Sequence, residues 1–191
     1  MLDGDSLKIF GMQNLMLETV LAQIEQSGID IGHASTISKE SLVDVELFEN
    51  DIRQEAYGMA DLYVLYYCFE NSVRRLISGR LREKHGADWW ETKIPKGVKD
   101  AVAEKQQKER DTPVSIRSDD PLSYSNFGEL IVILESNWDD FADTLRSKKA
   151  TVGILGQFNQ LRNVIAHSCY LSDDERLRLK LLVKDWLRIQ T

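Results

Sequence analysis

Apolar side chains recur every three to four residues along most of this chain, the period of helices that each bury one face. The first run covers residues 5 to 27, with Leu7, Phe10, Met12, Leu15, Leu17, Val20, Leu21 and Ile24 on its apolar positions and Gly28 as the stop. A polar loop, DIGHASTISK, follows. From about 43 to 85 the helical pattern is unbroken. Its centre, LYVLYYCF, is apolar all round, which predicts the most buried part of the fold, while Gly58 and Gly79 mark points where the helix would kink or split. ADWWETKIP reads as a connector that packs two indoles, Trp89 and Trp90, and Pro95 suits the first turn of a charged helix over 96 to 109. The exposed loop RDTPVSIRSDDP leads to an amphipathic pattern over 125 to 146, and a further helix is predicted over 149 to 168. SDDE, Ser172 to Glu175, has the spacing of a capping box and opens the last helix, which runs to about Gln190. The pattern therefore predicts an all-α bundle of five or six helices with one long central helix or helix pair. Residues 1–42 are expected to form an N-terminal helix and loop packing on the bundle of residues 43–191.

Composition agrees with this architecture. Among 191 residues there are 11 Gly and 3 Pro, few for a loop-rich or all-β fold, and 42% hydrophobic against 29% charged residues is the balance of a globular chain. No apolar run approaches the length of about 18 residues that a membrane span needs, and the N-terminus lacks a basic segment followed by an apolar one. Cys68 and Cys169 lie in apolar segments without metal-ligand spacing, and read as reduced core residues of a cytoplasmic protein. The net charge of −7 argues against a general nucleic-acid binder, yet its distribution is uneven. Residues 1–73 carry 13 acidic and 3 basic side chains, whereas residues 74–110 carry 11 basic and 6 acidic. A solvated helix surface and a phosphate-attracting face are both consistent with that basic middle.

Candidate chemistry concentrates in FNQLRNVIAHSCY, residues 158–170. There an apolar helix carries Arg162, Asn163 and His167. Asn163 and His167 are four apart and share a face, so the amide is placed to orient the imidazole. Arg162 lies about 140° from His167 around the helix, and only its length brings it to the same cleft. A buried or capping histidine satisfies the same pattern. The spacing alone is weak, because RLREKH, Arg80 to His85, repeats it at the charged end of a helix, where solvated residues are expected. No P-loop, G-x-G-x-x-G, H-E-x-x-H or zinc-ligand spacing occurs, so no metal and no cofactor are expected; NWDDFAD reads as an exposed helix face.

The R-N-x3-H stretch near the end of an all-helical chain resembles the signature of the HEPN superfamily. YYCFENSVRRLISGRL, followed by HGADWWETKIP, is similar to one branch, which includes the HEPN region of a eukaryotic nuclear messenger-RNA quality-control endonuclease and its bacterial relatives. Glu70, Arg74 and Arg75 match the E-x3-[KR]-[KR] pattern of several HEPN ribonucleases. The resemblance spans about residues 45–190 and implies a homodimer that cleaves RNA without metal. In that chemistry the ribose 2′-OH attacks the adjacent phosphorus and leaves a 2′,3′-cyclic phosphate. His167 then moves protons, Arg162 faces the crowded phosphorane with its fork of donors, and Asn163 fixes the imidazole or contacts phosphate. Arg74 and Arg75 add phosphate affinity, with Glu70 holding Arg74; an ordinary i,i+4 ion pair accounts equally well for Glu70 and Arg74. A toxin or defence effector acting on single-stranded RNA, partnered by an antitoxin or nucleotidyltransferase, is the role so implied. Other HEPN domains are non-catalytic dimerisation modules that bind a nucleotide, RNA or a partner protein, and the acidic total fits these.

Overall fold

The axis of the computed structural model is one helix, α1 (Asn50–His85), 36 residues long. Leu62, Phe69, Glu70, Val73, Ile77 and Leu81 are its buried positions, a single stripe at helical spacing. Neither Gly58 nor Gly79 interrupts it, since the stripe packs continuously on the rest of the bundle. Gly86 ends it with φ of 72°, a left-handed conformation that a side chain would strain. The structure describes Leu17, Val20, Leu21, Ile24 and residues 45–190. The chain separates into two compact units, Met1–Leu47 and Phe48–Thr191. In the first, the four isolated positions are helical and Val45–Leu47 forms a 3-10 turn. The rest of the helix expected over 5 to 27, and its packing, lie outside the described residues.

Five further helices complete the second unit: α2 (Trp89–Lys93), α3 (Lys96–Arg110), α4 (Phe127–Ser136), α5 (Lys148–Ala166) and α6 (Asp173–Ile189). No strand is found among the described residues; an isolated bridge joins Leu145 to Gln190. The all-α bundle read from the pattern is the observed fold. α4, α5 and α6 each pack against α1, and α5 packs against both α4 and α6. At the centre, one aromatic from each meets the next: Phe69 of α1 lies 3.9 Å from Phe158 of α5, 6.0 Å from Phe127 of α4 and 5.7 Å from Trp186 of α6, centroid to centroid. Trp89 is buried and Trp90 partly so, packed against the same core.

Three expectations are corrected. LYVLYYCF is not the most buried segment. α1 has one stripe facing its neighbours, so only Leu62 and Phe69 are buried there, while Tyr63, Val64, Tyr67 and Cys68 are exposed. Nor are the cysteines core residues, for Cys68 and Cys169 are both free and exposed. Finally, no helix spans 125 to 146. Asn126 and Glu129 form a capping box that starts α4, but Asn137 ends it by donating its amide to the carbonyls of Ile133 and Lys93. The chain continues through a 3-10 turn, Trp138–Asp140, that still buries Phe141 and Leu145 at positions a helix would have used.

Candidate functional site

The Phe69–Phe158 contact sets the register of two helices, and the residues that follow each ring meet. Glu70, next to Phe69, is buried and accepts from Arg162 Nε at 3.2 Å through one carboxylate oxygen, while Arg162 lies one turn beyond Phe158 on α5. The other oxygen accepts from Arg74 Nη2 at 2.9 Å. One carboxylate therefore joins two guanidiniums from different helices. With three charged groups shielded from bulk water, loss of the shared partner leaves two cations uncompensated. Arg74 is heavily committed besides: it donates to the carbonyls of Leu122 and Ser125 and to the Asn71 side chain. It works as a strap between α1 and the 3-10 turn Pro121–Tyr124. Arg75, the next residue, is exposed and points elsewhere around the helix, with no ion pair to Glu70.

Arg162 also donates from Nη1 to Asn163 Oδ1 at 3.3 Å, and its guanidinium sits 5.4 Å from the centroid of the Tyr66 ring. Burial raises the Tyr66 hydroxyl above the usual phenol range, and the Glu70 charge pushes it further up, with Arg162 opposing. The Asn163 amide oxygen is thus engaged by Arg162. α5 stops at Ala166, and His167 is its C-cap, exposed, giving its backbone N–H to the Asn163 carbonyl at 3.1 Å. Ser168 then turns left-handed, with φ of 55°. Its N–H bonds the Ile165 carbonyl and that of Cys169 bonds Val164, both at 3.0 Å, which is the two-bond Schellman ending with serine where glycine is usual. His167 keeps the i→i−4 backbone bond of the helix and so stays one turn above Asn163, while the left-handed ending begins after it and the imidazole is open to solvent.

The second R-x4-H copy proves to be a structural cluster, not a solvated helix end. Arg80 bonds Asp143, Glu83 and the Asp140 carbonyl, and His85 Nε2 lies 2.8 Å from Asp140 Oδ2. Together they fasten the end of α1 to the turn after α4, and Asp139 and Asp140 belong to that turn instead of an exposed helix face. No group of residues arranged to hold a metal is found among the described residues. No described helix is long and apolar enough to cross a membrane.

Sequence reasoning missed Tyr63, Tyr66, Tyr67 and Arg117. With Glu70, Asn71, Arg74 and Ser123 they line an open cleft of about 410 Å³. The YxxYY spacing on α1 was a legible signal, but it reads as core when the segment is taken to be buried on all sides.

The R-x4-H helix α5 and the E-x3-R-R helix α1 are thus joined through the Glu70 ion cluster, with α6 completing the bundle. The chain belongs to the Swt1-like HEPN family, whose model matches residues 65–189. No curated protein and no solved structure matches it significantly. Membership carries a nucleic-acid-related role, and HEPN domains often bind RNA and dimerise.

Proposed function

We propose that this protein is a metal-independent RNA endonuclease, with Arg162, Asn163 and His167 as its catalytic set. What supports the reading is an Arg162 held by Glu70 and, five residues on at the end of the same helix, an exposed His167. In the proposed reaction, His167 takes the proton of the ribose 2′-OH as the O2′–P bond forms. The P–O5′ bond breaks, and the leaving 5′-oxygen takes a proton from a second imidazole. Arg162, held at Nε by Glu70 and at Nη1 by Asn163, stabilises the phosphorane charge. One chain offers one such imidazole, so the second is supplied by another copy across a two-fold interface. Arg75 and Arg74 favour the approach of the phosphate backbone. In the cell this chemistry suits a cytoplasmic toxin or defence effector held in check by an antitoxin or nucleotidyltransferase.

The ion cluster also favours a second reading, a non-catalytic module, because Glu70 already claims part of the Arg162 fork. Incubation of the purified protein with single-stranded RNA in EDTA separates the two. Cleavage to 2′,3′-cyclic phosphate ends, with DNA of matched sequence left intact, is the expected result. Intact RNA, or cutting that requires a divalent metal, removes the catalytic mechanism.

A further inference from the structure

Tyr63 and Tyr67 spend large rings on solvent: they are 56% and 58% exposed and add nothing to the core. They stand one turn apart on α1, 6.4 Å between centroids with their planes 31° apart, and Tyr66 meets Tyr63 edge-on at 5.6 Å. Tyr66 in turn lies under the Arg162 guanidinium, so this tyrosine cluster is continuous with the helix that carries His167. The cleft these rings line has an arginine on its far wall, Arg117 from the loop over 111–120. Glu109 accepts from Arg117 Nε at 2.8 Å, and the guanidinium rests 4.8 Å from the Tyr124 ring centroid. Its two Nη groups donate to no described residue. The one carboxylate lining the cleft, Glu70, is already shared by Arg74 and Arg162. Rings that stand in water next to a braced cationic fork match a stacked base joined to a phosphate. The volume lies within the range of about 300–1,000 Å³ usual for small-ligand sites.

We propose that this cleft binds one nucleotide of single-stranded RNA beside the cleaved linkage, its base on Tyr63 and Tyr67 and its phosphate on Arg117. The inference rests on the RNA reading of the adjoining site. Its subject is binding, which is separable from cutting. The probe is a fluorescent single-stranded 2′-O-methyl oligonucleotide, which lacks the attacking hydroxyl and is bound without being cleaved. Tyr63→Ala and Tyr67→Ala should each weaken binding by about tenfold or more, because stacking on one ring is lost. Tyr63→Phe and Tyr67→Phe keep the rings and should stay within about twofold of the wild type. Arg117→Ala should reduce the slope of log affinity against log salt by about 0.7, the loss of one phosphate contact on a single strand, whereas the tyrosine variants leave the slope unchanged. Unaltered affinity in both alanine variants overturns the proposal, as does a wild-type protein that does not bind the probe. If the alanine variants instead turn dimer into monomer and affinity falls only in step, the face is a protein interface and the proposal is wrong. Ring-dependent binding without any cleavage of ordinary RNA would sink the endonuclease reading and leave this one standing.

Discussion

Glu70 shows how much one side chain decides here. Its two oxygens hold Arg162 and Arg74 at 3.2 and 2.9 Å, so the placement of Arg162 depends on a residue 92 positions earlier in the chain. A guanidinium held through Nε and Nη1 keeps its fork in place without further ordering on binding. Arg162→Lys keeps the charge but loses the fork, and should lower RNA cleavage by about 10²-fold or more, the usual cost of one transition-state donor. His167→Ala should be at least as damaging while the far-UV circular dichroism stays helical. His85→Ala and Arg80→Ala, at the other R-x4-H copy, should retain cleavage and lower the melting temperature, because their partners Asp140 and Asp143 anchor a turn. An essential His85 with a dispensable His167 would mean that the wrong copy has been chosen.

At the scale of elements, the ending of α5 and the tether of α1 each make a prediction. Ser168 carries a left-handed backbone that costs an L-residue about 1–2 kcal/mol, so Ser168→Gly should stabilise the fold by about 1 kcal/mol. A shift of the urea midpoint to lower concentration would show that the serine side chain contributes more than its backbone costs. At the other end, the hydrogen bond from Arg80 holds the Asp143 carboxyl below its usual range. A depressed folded value contributes stability above the ordinary carboxylate range, and that contribution fades as pH falls through the folded value. The gap in melting temperature between the wild type and Arg80→Ala should therefore be widest near neutral pH and narrow below about pH 4. Glu109, held down by the Tyr124 hydroxyl and Arg117, adds acid sensitivity of the same sign at the 111–120 loop. A gap that stays constant across this range would assign the effect to packing alone.

For the molecule as a whole, the first half of α1 leaves apolar side chains exposed, among them Ile52, Tyr57 and Val64. The composite site proposed for RNA cleavage needs two copies, so sedimentation should give about twice the 21.9 kDa chain mass. Specific activity should fall on dilution below the dimer constant. Mixing Arg162→Ala with His167→Ala protein asks which groups cooperate: restored activity pairs arginine and histidine across chains, and none restored places them within one chain or requires all four. A monomer with undiminished activity rules the composite site out.

What the chain determines by itself is local. Apolar spacing suffices to foresee α3, α5 and α6 to within a few residues, and of α1 the C-terminal end though not the start, which lies at Asn50 and not near residue 43. The capping box at Ser172 is foreseen too, because period and caps depend on neighbours in sequence. RNVIAH and the Glu70–Arg74 spacing were legible for the same reason. Three outcomes needed the packed molecule. LYVLYYCF is apolar all round, so periodicity could not say that only Leu62 and Phe69 face the bundle and that the tyrosines open a cleft. The 125–146 pattern was helical in spacing, but Asn137 finds the Lys93 carbonyl of a distant connector and stops α4. Above all, Glu70 meets Arg162 because Phe69 and Phe158 stack. A contact spanning 92 residues leaves no period in the sequence; it exists only once the helices that carry it have packed.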